Sequence, residues 1–434
     1  MARFDLGIAA GFGLDALAEA GMLAGASIDM DFAGNRIYGA SSFTSALAIT
    51  RASTGYAENA AGVWSSFASG ALRITDKGIL IEEARTNSIR NNSMQGAVAG
   101  TPGTVPTNWV ISASGLSYQV VGSGAENGVD YVDIRLYGTT GGTFGNISFD
   151  SLTQIAAANG QVWAGSVFLK LAGGSLTNVS STAVRGGLYS SVPGYLGEAW
   201  NPTLRQISTT LTRYKEAGTI ANASTASIQP YVQFVWASGV AVDFTIRIGW
   251  PQHELGAFAT SPIRTTSAAA TRAADVVTVN SPTNYVSLAQ GSVFVEWQEG
   301  PGASSTVDEY LTNLFVDGSN LIGFRSNAIG ASRKPFFGVI TGGVVQASLS
   351  TTNAVSAGAT SKLSGAWVSN RFALRVPAAI GSPANDTSGL PPTGVPTFNL
   401  GHYSGGAGSL NGYIRRLTLF PSPQSDAALS AMVA

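Results

Sequence analysis

Cysteine is absent from the 434 residues. Its absence excludes disulfides, thiolate nucleophiles and cysteine-ligated zinc. Histidine occurs only twice, as His253 and His402, and no paired spacing such as His-Glu-x-x-His exists. A transition-metal centre therefore has no support, and both histidines are expected to be packed or solvated rather than catalytic. Charge is scarce too, at 11% of residues, against about 25% in an ordinary soluble domain. With 24 cations, 25 anions and a net charge of −1, the chain has no basic stripe for nucleic acid or an anionic membrane surface. No apolar run reaches the roughly 18 to 20 residues of a spanning helix. The opening MARFDLGIAAG lacks the apolar core and cleavage site of a secretory signal, so export by that route is not expected.

Glycine is abundant, with 53 residues, and apolar residues make up 44% of the chain. That composition supplies cores and many turns, as all-β modules require. In residues 1–27, Leu14, Leu17 and Ala18 form a weak helical face. Gly7, Gly11, Gly13, Gly21 and Gly25 make it marginal alone. It reads as a flexible tail or as an anchor that orders against a partner. Residues 28–87 read as a small turn-rich β module. Within it, Glu82, Glu83 and Arg85 are expected to be ion-paired or solvated turn residues.

Residues 88–255 read as an antiparallel sandwich, because strand candidates recur between Gly-rich breaks. In 129–137, Val132, Ile134 and Leu136 share one face, opposite Tyr131, Asp133, Arg135 and Tyr137. In 228–236, Ile228, Pro230, Val232, Phe234 and Trp236 oppose Gln229, Tyr231 and Gln233. In 242–249, Phe244, Ile246 and Ile248 face in, and Thr245 and Arg247 face out. Residues 256–277 are rich in Ala, Ser and Thr, yet Phe258 and Ile263 can pin them. They are expected to form an ordered connector. Residues 278–434 read as a second sandwich, ending in a short helix capped by Ser425 with Leu429 and Met432 on one side. The Pro-rich stretch 381–396 is expected to be a loop.

Catalytic signatures are missing. No Gly-x-Ser-x-Gly elbow or Walker-type phosphate loop occurs. Glu296 and Glu299 fall on opposite faces of a regular strand, so they would not converge as a glycosidase pair. Asp308, Glu309 and Asp317 offer oxygen ligands near loops, without the dense spacing of a strong calcium loop. No enzyme activity, metal or cofactor is expected. The polar–aromatic strand faces are the better signal. Rings stack on the C–H faces of sugars, and planar polar side chains fork to adjacent hydroxyls. Tyr131, Asp133, Arg135, Tyr137, Gln229, Tyr231, Gln233 and Arg247 are the expected glycan-binding residues. They form one groove only if their strands share a concave sheet.

Three short motifs add a resemblance. "GILIEEARTN" (78–87) resembles a signature of tailed-phage and prophage fibre or spike proteins. "GWPQHELGAFATSPIRTTSAAATRAADVV" (249–277) is similar to the segment that closes a carbohydrate-binding-module-like jelly roll there. "SVFVEW" (292–297) and "LNGYIRRLTLFPSPQSDAAL" (410–429) look like the first and last parts of a concanavalin A-like, laminin G-like sandwich. The resemblance implies an all-β fold of two tandem antiparallel sandwiches after a short N-terminal anchor. It also implies a virion fibre, tail fibre or head spike of a phage or gene-transfer-agent particle, commonly oligomeric and here expected to be a homotrimer. Such a protein would bind host cell-surface polysaccharide and attach to other virion proteins through its N-terminal segment. The alternatives are a purely structural virion component and, behind it, a capsule depolymerase.

Overall fold

The computed structural model describes residues 23–200, 202, 206–301, 308–329 and 332–434. The expected anchor falls largely on residues 1–22, outside the described residues. The described chain is nearly all β, with antiparallel pairing throughout its sheets. No described helix is long and apolar enough to cross a membrane.

Two compact units emerge, each assembled from separated stretches. The first takes residues 1–50, 72–83 and 275–434, and the second takes 51–71 and 84–274. This differs from the expected linear order. Residues 28–87 do not stand as a module of their own, and their strands are shared between the two units. The reason is burial. A strand of four residues cannot cover its own apolar face. Ile28–Asp31 therefore pairs with Gly412–Phe420, Leu47–Thr50 with Val276–Val279, and Gly78–Ile81 again with Gly412–Phe420.

The first unit is a sandwich of a nine-stranded and a seven-stranded sheet. Ile28, Met30, Ile79, Val295 and Leu417 meet Leu314, Phe324, Phe337 and Phe398 in one core. Phe324 and Phe337 stack with ring centres 4.3 Å apart. The terminal helix Asp426–Val433 forms as expected, with the Ser425 hydroxyl accepting from the Ala428 amide and Leu429 buried. The Pro-rich stretch carries one short strand, Ala384–Asp386, which pairs at the sheet edge with Arg371–Arg375.

The second unit packs two five-stranded sheets face to face. The first sheet runs Ser117–Glu126, Val129–Thr139, Ala241–Leu255, Val162–Ser175, Thr212–Thr219. The second runs Tyr195–Glu198, Val179–Tyr189, Ser227–Trp236, Phe144–Ser148, Val110–Ser112. Strand alternation decides what fills the gap. Val132, Ile134, Leu136, Phe244, Ile246 and Ile248 from one sheet meet Ile228, Val232, Phe234 and Trp236 from the other. Phe234 and Phe244 touch across it at 5.2 Å.

Residues 256–274 belong to the second unit and 275–277 to the first. The stretch is ordered by polar contacts and, over Ala270–Arg272, by antiparallel pairing with Arg85–Asn87. Glu254 accepts from the Thr260 amide and hydroxyl at 2.9 and 2.8 Å, and Gln252 accepts from the Ile263 amide at 2.6 Å. Asn92 and Thr265 exchange hydrogen bonds of 3.0 and 2.7 Å. Ile263 is buried, and Phe258 lies under the Arg85 guanidinium at 4.9 Å.

Candidate functional site

The two sheets of the second unit each turn one face away from the core, and the expected site residues divide between them. Tyr131, Asp133, Arg135, Tyr137 and Arg247 stand on the first sheet. Gln229, Tyr231 and Gln233 stand on the second. The single groove expected from sequence is not formed, because strands Val129–Thr139 and Ser227–Trp236 lie in different sheets.

On the first sheet the charged groups close on one another. Arg135 donates from Nε and Nη2 to Asp243 at 2.7 and 2.6 Å and lies over the Tyr137 ring at 4.6 Å. Those hydrogen bonds hold the Asp243 carboxyl below its ordinary range. Arg247 donates to both oxygens of Asp133 at 2.9 and 2.8 Å, reaches Glu126, and lies 3.4 Å over Tyr131. Lys170 completes the network through Glu126 at 2.8 Å. Arg247 has all three nitrogens engaged by carboxylates, so little of it is left for sugar hydroxyls, whereas Arg135 keeps Nη1 outside its Asp243 fork. The hairpin of Gly55–Glu58 and Trp64–Phe67 covers more of this face. Its Tyr56 and Trp64 pack against Val129, Phe168 and Trp250.

The second sheet presents a different surface. Register sets Arg185 beside Tyr231, Gly187 beside Gln229, Ala183 beside Gln233, and Gln233 beside Asn146. The edge strand adds Glu198 next to Gly187 and Tyr195 next to Tyr189. The result is a polar and aromatic strip along Ser227–Val235, roughly 26 Å at ordinary strand rise. At its centre Glu198 Oε1 accepts from the Tyr231 hydroxyl at 2.6 Å and the Tyr195 hydroxyl at 2.7 Å. Arg185 Nη1 lies 3.3 Å from the same oxygen. The other carboxylate oxygen, Oε2, and Arg185 Nε are buried with no protein hydrogen-bond partner. An acceptor and a donor thus stand close together, both unsatisfied. Burial, reinforced by Glu198, raises the Tyr231 hydroxyl and pushes Tyr195 up to about 12, so both remain donors.

Around this centre the amides are held, Gln229 buried and Gln233 half-buried. Tyr189 donates to Gln229 at 3.4 Å, Gln229 donates to the Asp150 carbonyl at 2.9 Å, and Gln233 donates to Asn146 at 3.2 Å. Tyr195 is 58% exposed and meets Tyr189 edge to face at 5.8 Å. The strip carries one cation and one anion, and they pair. It can stack on an apolar ring face, accept one hydroxyl and donate to another.

Arg185, Tyr189, Tyr195, Glu198 and Asn146 are absent from the sequence expectation. The signal was obscured by Gly186-Gly187, a pair that reads as a turn. Here it lies inside a strand because large rings crowd both faces. A Cβ on Gly186 would stand 2.7 Å from the Trp200 indole, and one on Gly187 would stand 2.9 Å from the Tyr231 ring. Gly186→Val should therefore cost about 1–3 kcal/mol through overpacking, read as a lower denaturation midpoint. Alternation on either side, Ala183, Arg185 and Tyr189 outward with Val184 and Leu188 inward, is the trace that was available.

The remaining candidates have structural positions. His253 is fully buried, stacked on Trp163 at 5.1 Å and tilted against Trp200 at 5.7 Å, with neither ring nitrogen hydrogen-bonded. His402 Nε2 lies 3.1 Å from the Val277 amide nitrogen and 3.0 Å from the Val277 carbonyl oxygen. Glu296 pairs with Arg415 at 2.7 Å, while Glu299 is buried and accepts from Trp297 and Ser326 at 3.0 and 2.9 Å. Asp308, Glu309 and Asp317 go separate ways, to Arg325 at 2.7 Å, to Arg333 at 2.6 Å, and to the Ser319 amide at 2.7 Å. Among the described residues no group of three such ligands could hold a metal ion.

No protein-family model matches the chain, and no curated protein does. Several solved structures are similar in backbone. One is the CBM40 module of the Ruminococcus gnavus IT-sialidase, bound to α2,3-sialyllactose. It is 15% identical, with a TM-score of 0.28, over 34% of this chain and 84% of that one. Another is the CBM22-1–CBM22-2 tandem of Paenibacillus barcinonensis Xyn10C, 11% identical with a TM-score of 0.26, over 79% and 95%. A third is the LG4-5 pair of the mouse laminin α1 chain, 11% identical with a TM-score of 0.21, over 70% and 99%.

Proposed function

We propose that this chain is a non-catalytic glycan-binding protein, and that the outward face around Arg185, Glu198 and Tyr231 takes a neutral polysaccharide. The observation that carries the reading is the half-satisfied Arg185–Glu198 pair set among Tyr189, Tyr195 and Tyr231. A buried acceptor and donor without partners each cost free energy, which a ligand hydroxyl recovers once the exposed Tyr195 ring swings aside. The absence of any uncompensated charge on the strip favours a neutral chain over an acidic one. The fibre-like motifs at 78–87, 249–277 and 410–429 support a finer reading, a virion fibre or head spike that adsorbs to host surface polysaccharide. In that reading the N-terminal segment holds it to the particle, and several copies raise weak single-site affinity by about 10²–10⁴.

Binding of the full chain to host envelope polysaccharide tests the first statement. Tyr195→Ala and Glu198→Gln should each weaken it about tenfold, equivalent to about 1.4 kcal/mol. Raising salt from 0.05 to 0.5 M should leave it nearly unchanged, because screening acts on uncompensated charge. Unaltered binding in both variants would remove the site from this face. A fall in polymer length in a reducing-end assay would replace the non-catalytic reading with a depolymerase. Mass spectrometry of purified particles tests the virion assignment, and absence of the chain from them overturns it.

A further inference from the structure

In the first unit, strands Glu309–Asp317, Asn320–Ile329, Ser332–Thr341 and Val344–Ser350 lie side by side. Their register sets Gly323 opposite Gly338, Leu321 opposite Ile340, and Arg325 opposite Phe336. Two glycines abreast leave a dip in the outward face. A Cβ on Gly323 would stand 3.1 Å from the Tyr310 ring, and one on Gly338 would stand 2.7 Å from the Phe336 ring. Both rings therefore lean over the dip. Arg325 closes one end. Its guanidinium lies over Phe336 at 4.3 Å, Nη1 donates to the Tyr310 hydroxyl at 3.1 Å, and Asp308 pairs with it at 2.7 Å. Its Nε is buried without a hydrogen-bond partner. Leu321, Ile340 and Val345 wall the rest. The hollow holds about 140 Å³, close to the ~150 Å³ that admits a benzene-sized ring.

We infer that this hollow is a second binding site, for one neutral sugar ring that carries a methyl group, either a 6-deoxy methyl or the methyl of an N-acetyl substituent. The inference takes from the proposed function only that the ligand is a glycan. A fully hydroxylated hexose would leave hydroxyls unpaired against Leu321, Ile340 and Val345. A methyl group buries there instead. Asp308 cancels the Arg325 charge, so nothing draws an acidic sugar, and the exposed part of the Arg325 guanidinium supplies a donor for a ring or acyl oxygen.

Saturation-transfer NMR and calorimetry on the full chain, with methyl α-L-rhamnoside, N-acetylglucosamine and glucose, test it and tell the two methyl sources apart. At least one methyl-bearing sugar should bind ten or more times more tightly than glucose. Gly323→Leu should abolish that preference by filling the dip. Val345→Lys, at a position 61% exposed and so tolerant of change, should abolish it by putting a hydrated ammonium on the rim. Tyr195→Ala should leave it intact. Equal binding of glucose, a preference that survives Val345→Lys, or no binding of either methyl-bearing sugar overturns this site. None of those outcomes bears on polysaccharide capture by the Arg185–Glu198 face, which Tyr195→Ala and Glu198→Gln report separately.

Discussion

Arg73→Leu should destabilise the first unit by about 3–5 kcal/mol, because it strands two buried carboxylates. Arg73 is fully buried and donates from Nη1 to Glu82 at 2.7 Å and from Nη2 to Asp275. Asp275 also accepts from the Glu82 amide at 3.0 Å, and the Asp275 amide returns a bond to the Glu82 carbonyl at 3.0 Å. One guanidinium thus balances two carboxylates that are 4% and 0% exposed. At 2–4 °C per kcal/mol for a unit of this size, the melting transition should fall by roughly 6–20 °C. Adding Glu82→Gln and Asp275→Asn to the same chain should recover a large part of the loss, since neutral amides cost far less to bury unpaired. A single variant that melts within 2 °C of the parent would refute the account.

The second large expectation concerns pH, through one strongly shifted buried group in each unit. Burial alone lowers His253 to about 3, whereas an unfolded histidine titrates near 6.5. Between those values the unfolded state holds a proton that the folded state refuses. Stability from this residue is therefore complete above pH ~6.5 and falls as pH drops towards 3, by on the order of 4 to 5 kcal/mol in all. Glu309 behaves inversely. Burial pushes it up to about 9, with Arg333 opposing and the neighbouring Glu299 adding to the rise. Glu299 is itself raised by burial. Two carboxylates facing one guanidinium keep a proton at neutral pH that the unfolded chain releases near 4.5. Stability from Glu309 is therefore complete in acid and is lost as pH rises through about 9. Hydrogen exchange by mass spectrometry reads the units separately. His253 should contribute an acid limb to the second unit and Glu309 an alkaline limb to the first. His253→Phe should flatten the acid limb, and Glu309→Gln the alkaline one. A limb as steep in either variant as in the parent would contradict this.

Much of the second unit is legible in the sequence because its strands are long and one-sided. Val132, Ile134 and Leu136 alternate cleanly with Tyr131, Asp133 and Arg135, and every inward assignment there is buried. Ile263 and Phe258 are packed, yet nothing in the composition of 256–277 says that residues 256–274 belong to the second unit. Two further things were not legible. Which strands share a sheet is decided by pairing between residues far apart in sequence, and alternation carries no record of it. Tyr131 and Tyr231 both read as outward, and both are, on opposite sheets. The second is the meaning of a glycine pair. Gly186-Gly187 looks like a turn until Trp200 and Tyr231 are seen lying across it. The expected module at 28–87 fails on the first count, as Ile28–Asp31 finds its partner nearly four hundred residues later.

That pairing sets an order on synthesis. The second unit holds all its strands by residue 274, so it can close while the rest of the chain is still inside the ribosome. The first unit cannot. Strands Ile28–Asp31 and Gly78–Ile81 must wait for Gly412–Phe420, which is made long after them. Through most of translation Ile28, Met30, Ile79 and Ile81 have no sheet to enter, and their exposed edges are open to the same segments of neighbouring nascent chains. The protein's yield should depend on how quickly the chain between residue 274 and Gly412–Phe420 is made, and a pause there should be more damaging than one before residue 274.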